Sequence, residues 1–489
     1  MIELCNVSKT FRKGFSKKTI LENINLNIHQ GEFVILKGEN GAGKSTLLNL
    51  ILGIIRPSSG EVSLMGLPPQ LPESKIHMGV VLQEANLPEN LKVKELVQLV
   101  KSYYPNSISV DSLLAKVNLL EMQDAWASNL SGGQKQRLYF ALALAGSPDL
   151  LILDEPTRNL DDKGYEEFWQ QIRLCREQGV TILMVTNNKS DWNVLEQLAT
   201  RTITLHKLAE APKNCQLTED NLSSHLPATV APTATSVANP NHARISRYHL
   251  LQVFQQQLWV EILQIWRTPT FLLGILLFAI VLSVTSSDKQ SLIGCCGLVL
   301  LIVAIERLGK RVAIERTGKW LKFLRTTPLP PRLYVATKIF TVILLCIITL
   351  SLMLTIGIWQ RGIQISITAE ITIFASMILG VIPFAIAGLG LSYLVNPKSY
   401  DSIVGLSIPI GLMTCGIPLP LAVSPSVQEC IETVVAFSPF YHYGQLSLWA
   451  SDSPFYNGYL LLNSLWLLWA GIAFGSITIW AYQRDSVVQ

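Results

Sequence analysis

The stretch with the clearest chemical meaning is a glycine-rich run that ends in a lysine and two hydroxyl residues. Its members are Gly38, Glu39, Asn40, Gly41, Ala42, Gly43, Lys44, Ser45 and Thr46. Glycines at this spacing let backbone N–H groups approach phosphate oxygens, and a helix that begins there adds the positive end of its dipole. We predict that Lys44 binds phosphate as a point charge and that the Ser45 hydroxyl is a ligand for Mg²⁺.

The flanking residues predict the elements that such a loop requires. Residues 31–37 are rich in β-branched and aromatic side chains and predict a strand, whereas residues 46–52 predict an apolar helix. A strand, a glycine loop and a helix in this order favour phosphate binding. The alternative is a glycine-rich turn with a solvated lysine. The further motifs in the sequence argue against this alternative.

A pair of carboxylates follows a second apolar run. Residues 150–153 predict a buried strand that ends in Asp154 and Glu155, and Pro156 then stops the strand. Neighbours on a strand point to opposite faces, so we predict different tasks for the two carboxylates. One would serve the metal beside Ser45 and the other would face an attacking water. Another apolar run, residues 80–82, ends in the amide of Gln83.

A second helix start lies between these strands. Ser131 is a predicted N-cap, and the glycines that follow it expose backbone donors at the start of a helix. The run consists of Leu130, Ser131, Gly132, Gly133 and Gln134. It predicts a second phosphate-facing surface, with an ordinary capped turn as the alternative.

Composition limits the class of protein. The 489 residues are 49% hydrophobic with a mean hydropathy of +0.34, which is too apolar for an ordinary soluble protein of this length. Part of the chain is therefore expected in a lipid bilayer. The small net charge of +4 and the lack of basic runs with interleaved aromatics in the first half of the chain argue against nucleic acid as a partner. The eight cysteines form no C-x-x-C pair and are read as reduced, structural thiols.

The pattern changes along the chain and predicts four regions. Residues 1–208 alternate apolar strands with helices, as in an α/β domain with a largely parallel sheet. Residues 209–243 are rich in Pro, Thr, Ala, Ser and Asn and predict a flexible linker. Residues 244–267 predict an amphipathic helix at the bilayer surface. Residues 268–489 predict an all-α membrane domain of six transmembrane helices, at about 268–285, 290–305, 339–359, 371–395, 403–423 and 459–481.

The distribution of positive charge predicts the orientation in the membrane. The loop at 306–338 is rich in lysine and arginine, whereas residues 424–458 contain neither. Six spans then place residues 1–208 and the basic loop in the cytoplasm. That loop is long enough to hold a helix, with Trp320, Leu321, Phe323 and Leu324 between basic residues. Such a helix either docks on the first domain or lies on lipid headgroups.

Together these motifs resemble the ATP-binding domain of ABC transporters, over roughly residues 1–208. The resemblance implies an α/β P-loop NTPase domain of ABC type with ATP and Mg²⁺ as cofactors. It also implies that the loop of residues 38–46 binds the phosphates of ATP, that Phe11 stacks on adenine, and that Ser45, Gln83 and Asp154 bind Mg²⁺. Glu155 would polarise water, and Asp161 would take part in cross-talk between subunits. A further run would close over the ATP held by a second subunit: Leu130, Ser131, Gly132, Gly133 and Gln134.

The resemblance further implies a working unit of two chains, because each motif occurs once. The basic loop bears a looser similarity to exporter-type ABC permeases. The expectation is a half-transporter of the bacterial cell (inner) membrane, a homodimer or heterodimer that couples ATP hydrolysis to export of an unidentified, apolar or amphiphilic substrate. The alternatives are an ATPase-driven membrane machine that exports no solute, and a degenerate regulatory half of a heterodimer.

One position departs from the family pattern. Asn187 stands where a histidine usually follows the fourth apolar strand, and an asparagine donates a hydrogen bond but carries no positive charge. Slowed hydrolysis, a partner chain that supplies a complete site and a harmless substitution are all consistent with this residue.

Overall fold

The structure is a computed structural model that divides into two compact units. It describes residues 1–13, 16–83, 86–208, 216–221, 246–286, 288–362, 366–414, 435–454 and 456–488. Unit 1 comprises Met1–Val260, Gly318–Tyr334 and Ser486–Gln489, and unit 2 comprises Glu261–Thr317 and Val335–Asp485. The segment Gly318–Tyr334 therefore belongs to the unit that contains the predicted nucleotide site.

Two sheets form the framework of unit 1. In chain order the strands are β1 (Ile2–Lys13), β2 (Ser16–Ile28), β3 (Phe33–Gly38), β4 (Ser59–Leu64), β5 (Met78–Val81), β6 (Leu150–Asp154), β7 (Thr181–Val185), β8 (Arg201–Leu205) and β9 (Leu217–Asn221). β2, β1 and β4 pair in that order in an antiparallel sheet. The larger sheet has the order β5-β6-β7-β3-β8-β9 and is parallel except for β9. The predicted α/β domain with a largely parallel sheet is confirmed.

The core strands are buried on both faces, as parallel strands covered by helices must be. β5 and β7 are buried along their whole length, and β3 and β6 are buried up to their carboxyl ends. The helices described in this part of the chain are α1 (Lys44–Ile51), α2 (Val93–Ser102), α3 (Val110–Lys116), α4 (Gly132–Leu144), α5 (Asp162–Glu177) and α6 (Trp192–Leu198). β3, β6 and β7 end at one edge of the sheet, and the predicted motifs follow them there.

The predicted linker begins too early in the sequence. Leu217–Asn221 lies within residues 209–243, yet it forms β9 and pairs with β8. Gln216 joins this strand to β2, because its amide donates to Ile20 O at 2.9 Å and accepts from Glu22 N at 3.1 Å. Tertiary pairing thus orders a polar segment that has no periodic pattern. Residues 222–243 lie outside the described part of the chain.

The apolar half is helical. Its described helices are α7 (Arg247–Trp266), α8 (Pro269–Thr285), α9 (Lys289–Ile302), α10 (Leu308–Thr317), α11 (Trp320–Leu324), α12 (Pro331–Arg361), α13 (Ile367–Leu394), α14 (Pro397–Thr414), α15 (Pro439–Ala450) and α16 (Leu460–Val488). Among the described residues, four helices are long and apolar enough to cross a membrane, at 289–317, 331–360, 367–394 and 460–482. Residues 272–285 form a shorter apolar helix, and the predicted fifth span extends beyond α14 into undescribed residues. The six predicted spans therefore remain a prediction.

The predicted second span is also longer than expected. α9 continues through a π turn at Val303–Arg307 into α10, so that helix reaches into the loop predicted at 306–338. The hydroxyl of Tyr400 donates to Ile305 O within the turn at 2.5 Å. A Cβ at Gly388 would come within 2.8 Å of the same carbonyl oxygen. These close contacts show that small residues in α13 pack helices of one chain together.

Buried charged side chains join three helices of unit 2. Lys338 Nζ lies 2.6 Å from Glu261 Oε1 and 2.7 Å from Glu315 Oε1, and all three side chains are at most 8% exposed. Arg311 Nε lies 3.0 Å from the same Glu315 oxygen. Alternating charges at this depth offset the cost of removing each of them from water.

Candidate functional site

The predicted phosphate loop connects β3 to α1. Gly43 is the N-cap residue of α1 and has φ 109°, and a Cβ at this position would lie 2.9 Å from Leu21. Gly41 has φ 85°, with open space where its Cβ would be. Glycine is needed at both positions because other residues rarely adopt these angles. The loop can therefore turn its backbone N–H groups toward an anion at the helix N-terminus.

Lys44 lies at the mouth of this loop. Its ammonium donates to Gly38 O and to Glu39 O, the latter at 3.1 Å. Burial lowers the pKa of Lys44, and the nearby carboxylates of Glu155 and Asp154 oppose that shift. The ammonium is thus a cation held in place by the carbonyls of the phosphate loop, as phosphate binding requires.

An open cleft of about 730 Å³ brings most of the predicted site residues together. Phe11, most of the phosphate loop, Gln83, the carboxylates Asp154 and Glu155, and Asn187 all line it. The cleft also contains Lys18, which sequence reasoning missed. Lys18 is paired with Phe11 across β1 and β2, so both side chains reach the cleft. Nothing in the basic stretch around Lys18 distinguishes this residue before the pairing is known.

The two carboxylates have different surroundings, although the predicted strand geometry was wrong. β6 ends at Asp154, and Glu155 has φ 49°, so alternation along a strand does not apply to the pair. Both residues line the cleft. Burial raises the pKa of Asp154 to about 6; Glu155 adds to the shift, and Lys322 and Lys44 oppose it.

Two side-chain amides hold Glu155. Gln83 Nε2 donates to Glu155 Oε2 at 2.7 Å, and Asn187 Nδ2 donates to Glu155 Oε1 at 3.1 Å. Arg158 Nη1 lies 3.8 Å from Oε2. The backbone N–H of Glu155 donates to Val185 O at 2.8 Å, which ties the turn after β6 to the end of β7. Glu155 is therefore oriented at both oxygens by neutral donors.

A buried carboxylate fixes the segment that carries Asn187. Asp191 is fully buried and accepts hydrogen bonds from Thr157 Oγ1 at 2.9 Å and Thr186 Oγ1 at 2.6 Å. Asn188 Nδ2 donates to its other oxygen at 3.2 Å. Asp191 thus joins the turn after Glu155 to the residues on either side of Asn187. Its position in the sequence gave no sign of this link.

The residues predicted to hold Mg²⁺ fit a hard cation. Ser45, Gln83 and Asp154 line a second cavity of about 200 Å³ beside the cleft. Because Gln83 donates its amide nitrogen to Glu155, its amide oxygen is left as an acceptor. A hydroxyl, an amide oxygen and one carboxylate suit Mg²⁺ that also takes water and phosphate oxygens. Over the described residues no cluster of three His, Cys, Asp or Glu side chains forms a separate metal site.

The second helix start is built as predicted but lies elsewhere. Ser131 caps α4, accepting from Gln134 N at 3.2 Å, while Gln134 Oε1 accepts from Ser131 N at 2.9 Å. Asp161 caps α5 by accepting from Gly164 N at 3.2 Å. Neither the run 130–134 nor Asp161 is among the residues that line the described cleft. Their predicted roles therefore remain predictions.

A phosphate loop between a central strand and a helix, with two carboxylates at the carboxyl end of another strand of the same sheet, defines a P-loop nucleotide-binding domain. The sequence model of the family described as ABC transporter matches residues 21–158. An uncharacterized ABC transporter ATP-binding protein of Mycobacterium tuberculosis is 36% identical over 218 residues, which are 42% of this chain and 86% of that protein. One from Methanocaldococcus jannaschii is 37% identical over 203 residues, 39% of this chain and 90% of that protein.

This chain belongs to the family of ABC transporter ATP-binding proteins, and it is an ATPase of the kind that couples hydrolysis to transport. The Nod factor export ATP-binding protein I of Rhizobium meliloti is also similar, with 36% identity over 210 residues, 40% of this chain. The match spans 61% of that relative's length.

Proposed function

We propose that this chain is an ABC half-transporter of a bacterial cell membrane, in which two chains use ATP to export an apolar or amphiphilic substrate. The observation that carries the proposal is that Gly318–Tyr334, from within the apolar half, packs into the same compact unit as the ATP-binding domain. Asn86 N donates to Gly318 O at 2.7 Å. This hydrogen bond supports docking of the segment on the ATP-binding domain rather than a position on the lipid headgroups. The similarity to a Nod factor export protein supports export as the direction.

The cleft supports a specific task for each side chain. The phosphate loop and Lys44 bind the phosphates, and Phe11 lies where it can stack on adenine. Ser45, Gln83 and Asp154 would hold Mg²⁺, which supplies charge neutralisation at the phosphates when it is bound. Glu155 orients and polarises the attacking water, because both of its oxygens are already held in place by Gln83 and Asn187.

Dimer formation completes this proposal. The residues 130–134 and Asp161 lie outside the cleft of their own chain, so a partner is needed to bring such a surface over the ATP. The same proposal includes six membrane spans, a position of α7 at the bilayer surface and an ATP-binding domain in the cytoplasm. The exposure pattern of α7 supports a position at the bilayer surface. This helix exposes Leu251, Trp259 and Trp266, whereas Gln257 and Glu261 are buried.

Asn187 favours a second candidate function. A neutral amide contacts Glu155 where the family pattern has a histidine, so this chain could be the less active half of a heterodimer. Homodimer and heterodimer differ in one measurable respect: whether the purified chain hydrolyses ATP without another chain.

The test is ATPase activity of the full chain in lipid vesicles, beside Glu155→Gln and Asn187→His. Activity that is abolished by Glu155→Gln and little changed by Asn187→His supports a competent homodimer. Activity near zero that Asn187→His restores supports the degenerate half. ATP turnover that persists in Glu155→Gln contradicts the proposed site.

A further inference from the structure

Two lysines of the segment 318–334 reach the metal end of the nucleotide site. The cavity of about 200 Å³ that is lined by Ser45, Gln83 and Asp154 is also lined by Lys319 and Lys322. Both lysines belong to unit 1, as do the three predicted metal ligands. Residues that are distant in sequence thus bring two lysine side chains to the cavity where a divalent cation is expected.

The position of these lysines is fixed from both ends of the segment. Gly318 O accepts from Asn86 N at 2.7 Å, just after the loop that carries Gln83. The buried ammonium of Lys75 donates to Arg325 O at the other end. Between them α11 buries its apolar side chains, and Trp320 stacks on Phe323 with ring centroids 5.0 Å apart. Lys319 and Lys322 are therefore held at the cavity by a packed element.

The charges in the cavity oppose one another. Asp154 is a mostly buried carboxylate that attracts either a metal ion or a lysine ammonium. A metal ion on Asp154 and the ammonium of Lys322 would repel each other, and a small, partly buried cavity screens such repulsion poorly. Binding of the metal is then disfavoured as long as the segment stays in the position described.

We propose that Lys322, supported by Lys319, is a tethered cation that competes with the metal ion for Asp154. The inference rests on the proposed function, since it takes Ser45, Gln83 and Asp154 as the metal ligands. By linkage, the metal weakens docking of the segment to the same extent that docking weakens the metal. The apolar half of the chain then responds directly to the metal-bound state of the nucleotide.

Mn²⁺ binding in the presence of saturating ADP tests the competition on the full chain in detergent, with free Mn²⁺ followed by paramagnetic resonance. Lys322→Met should tighten Mn²⁺ about five-fold, because one repelling charge leaves the cavity. Lys322→Arg, which keeps the charge, should bind Mn²⁺ like the native chain. The matched control is Arg332→Met, which removes an exposed charge from the same segment and should leave the affinity unchanged.

Hydrogen exchange of residues 318–334 supplies the second readout. Exchange in the native chain should rise when Mn²⁺ is added to the ADP-bound protein, and the rise should be smaller in Lys322→Met. Equal Mn²⁺ affinity in Lys322→Met and the native chain, or exchange that does not respond to Mn²⁺, overturns this inference. A native chain that binds neither ADP nor Mn²⁺ contradicts the proposed function instead, so the two failures are distinguishable.

Discussion

Gln83 donates its side-chain amide to Glu155 Oε2 at 2.7 Å, although 72 positions separate the two residues in sequence. The contact joins the end of β5 to the end of β6, which are neighbours in the sheet. In the proposed site, the oxygen of the same side chain would face the metal ion, while its nitrogen holds the carboxylate that would face the attacking water. A change at Gln83 should therefore affect both.

Gln83→Glu should lower ATP turnover about tenfold or more, because a second carboxylate would replace the donor and repel Glu155. Nucleotide affinity, measured with a fluorescent ADP analogue, should change much less. Gln178→Glu makes the same change at an exposed amide after α5 and serves as the control. Unchanged turnover in Gln83→Glu would show that the contact with Glu155 is not used.

Asp191→Ala should lower kcat more than it raises KM, because it releases the segment that carries Asn187 without touching the phosphate loop. Asp191→Asn keeps one carbonyl acceptor and should recover part of the activity. Asp111→Ala, at an exposed position in α3, is the control. Equal losses in the alanine and asparagine variants of Asp191 would contradict a positioning role.

Stability without metal should depend on pH through Asp154. The pKa of this carboxyl is about 6 in the folded chain, against the ordinary value of 3.8, so the folded state binds more protons between these values. Stability then falls as the pH rises from about 4 to about 6, by about 2 kcal/mol in total. Asp154→Asn removes this dependence and should be the more stable protein at pH 7.

Thermal unfolding in EDTA at several pH values measures the effect. The melting temperatures of the native chain and Asp154→Asn should agree near pH 4 and separate by a few degrees above pH 6. A constant difference across this range would mean that Asp154 does not gain a proton in the folded protein.

Lys338→Met should destabilise unit 2 by about 3 to 5 kcal/mol, because it leaves Glu261 and Glu315 buried without their shared cation. The double variant Lys338→Met with Glu261→Gln should recover part of that loss. Lys398→Met removes an exposed lysine after α13 and should change the melting temperature little. A Lys338→Met protein as stable as the control would contradict the importance of this ion pair.

The local motifs of the site were predictable because each depends on a few neighbouring residues. The glycine loop, the cap at Ser131 and the carboxylates after β6 follow from spacing alone. β9 was missed because LTEDN has no strand pattern and becomes ordered only through β8 and Gln216. Asp191 and Lys322 were missed for a related reason: their contacts join segments that are far apart in sequence.

The helix from α9 to α10 was misread at 306 because its charged residues resemble a loop. In the fold those charges are satisfied by other helices, as Lys338 and Glu315 show. Hydropathy reports the average environment of a segment and cannot reveal such pairs. In contrast, a helix was predicted in the basic loop around Trp320 and Phe323, and α11 is found there.

The π turn at Val303–Arg307 determines how the side chains of α10 are rotated about the helix axis relative to those of α9. Deleting a single residue there would turn α10 by about 100° relative to α9. Glu315 would then rotate away from Lys338, and the Tyr400 hydroxyl would lose its acceptor at Ile305. The extra residue of the π turn thus sets the rotation of α10 about its axis. The contact between Glu315 and Lys338 depends on that rotation.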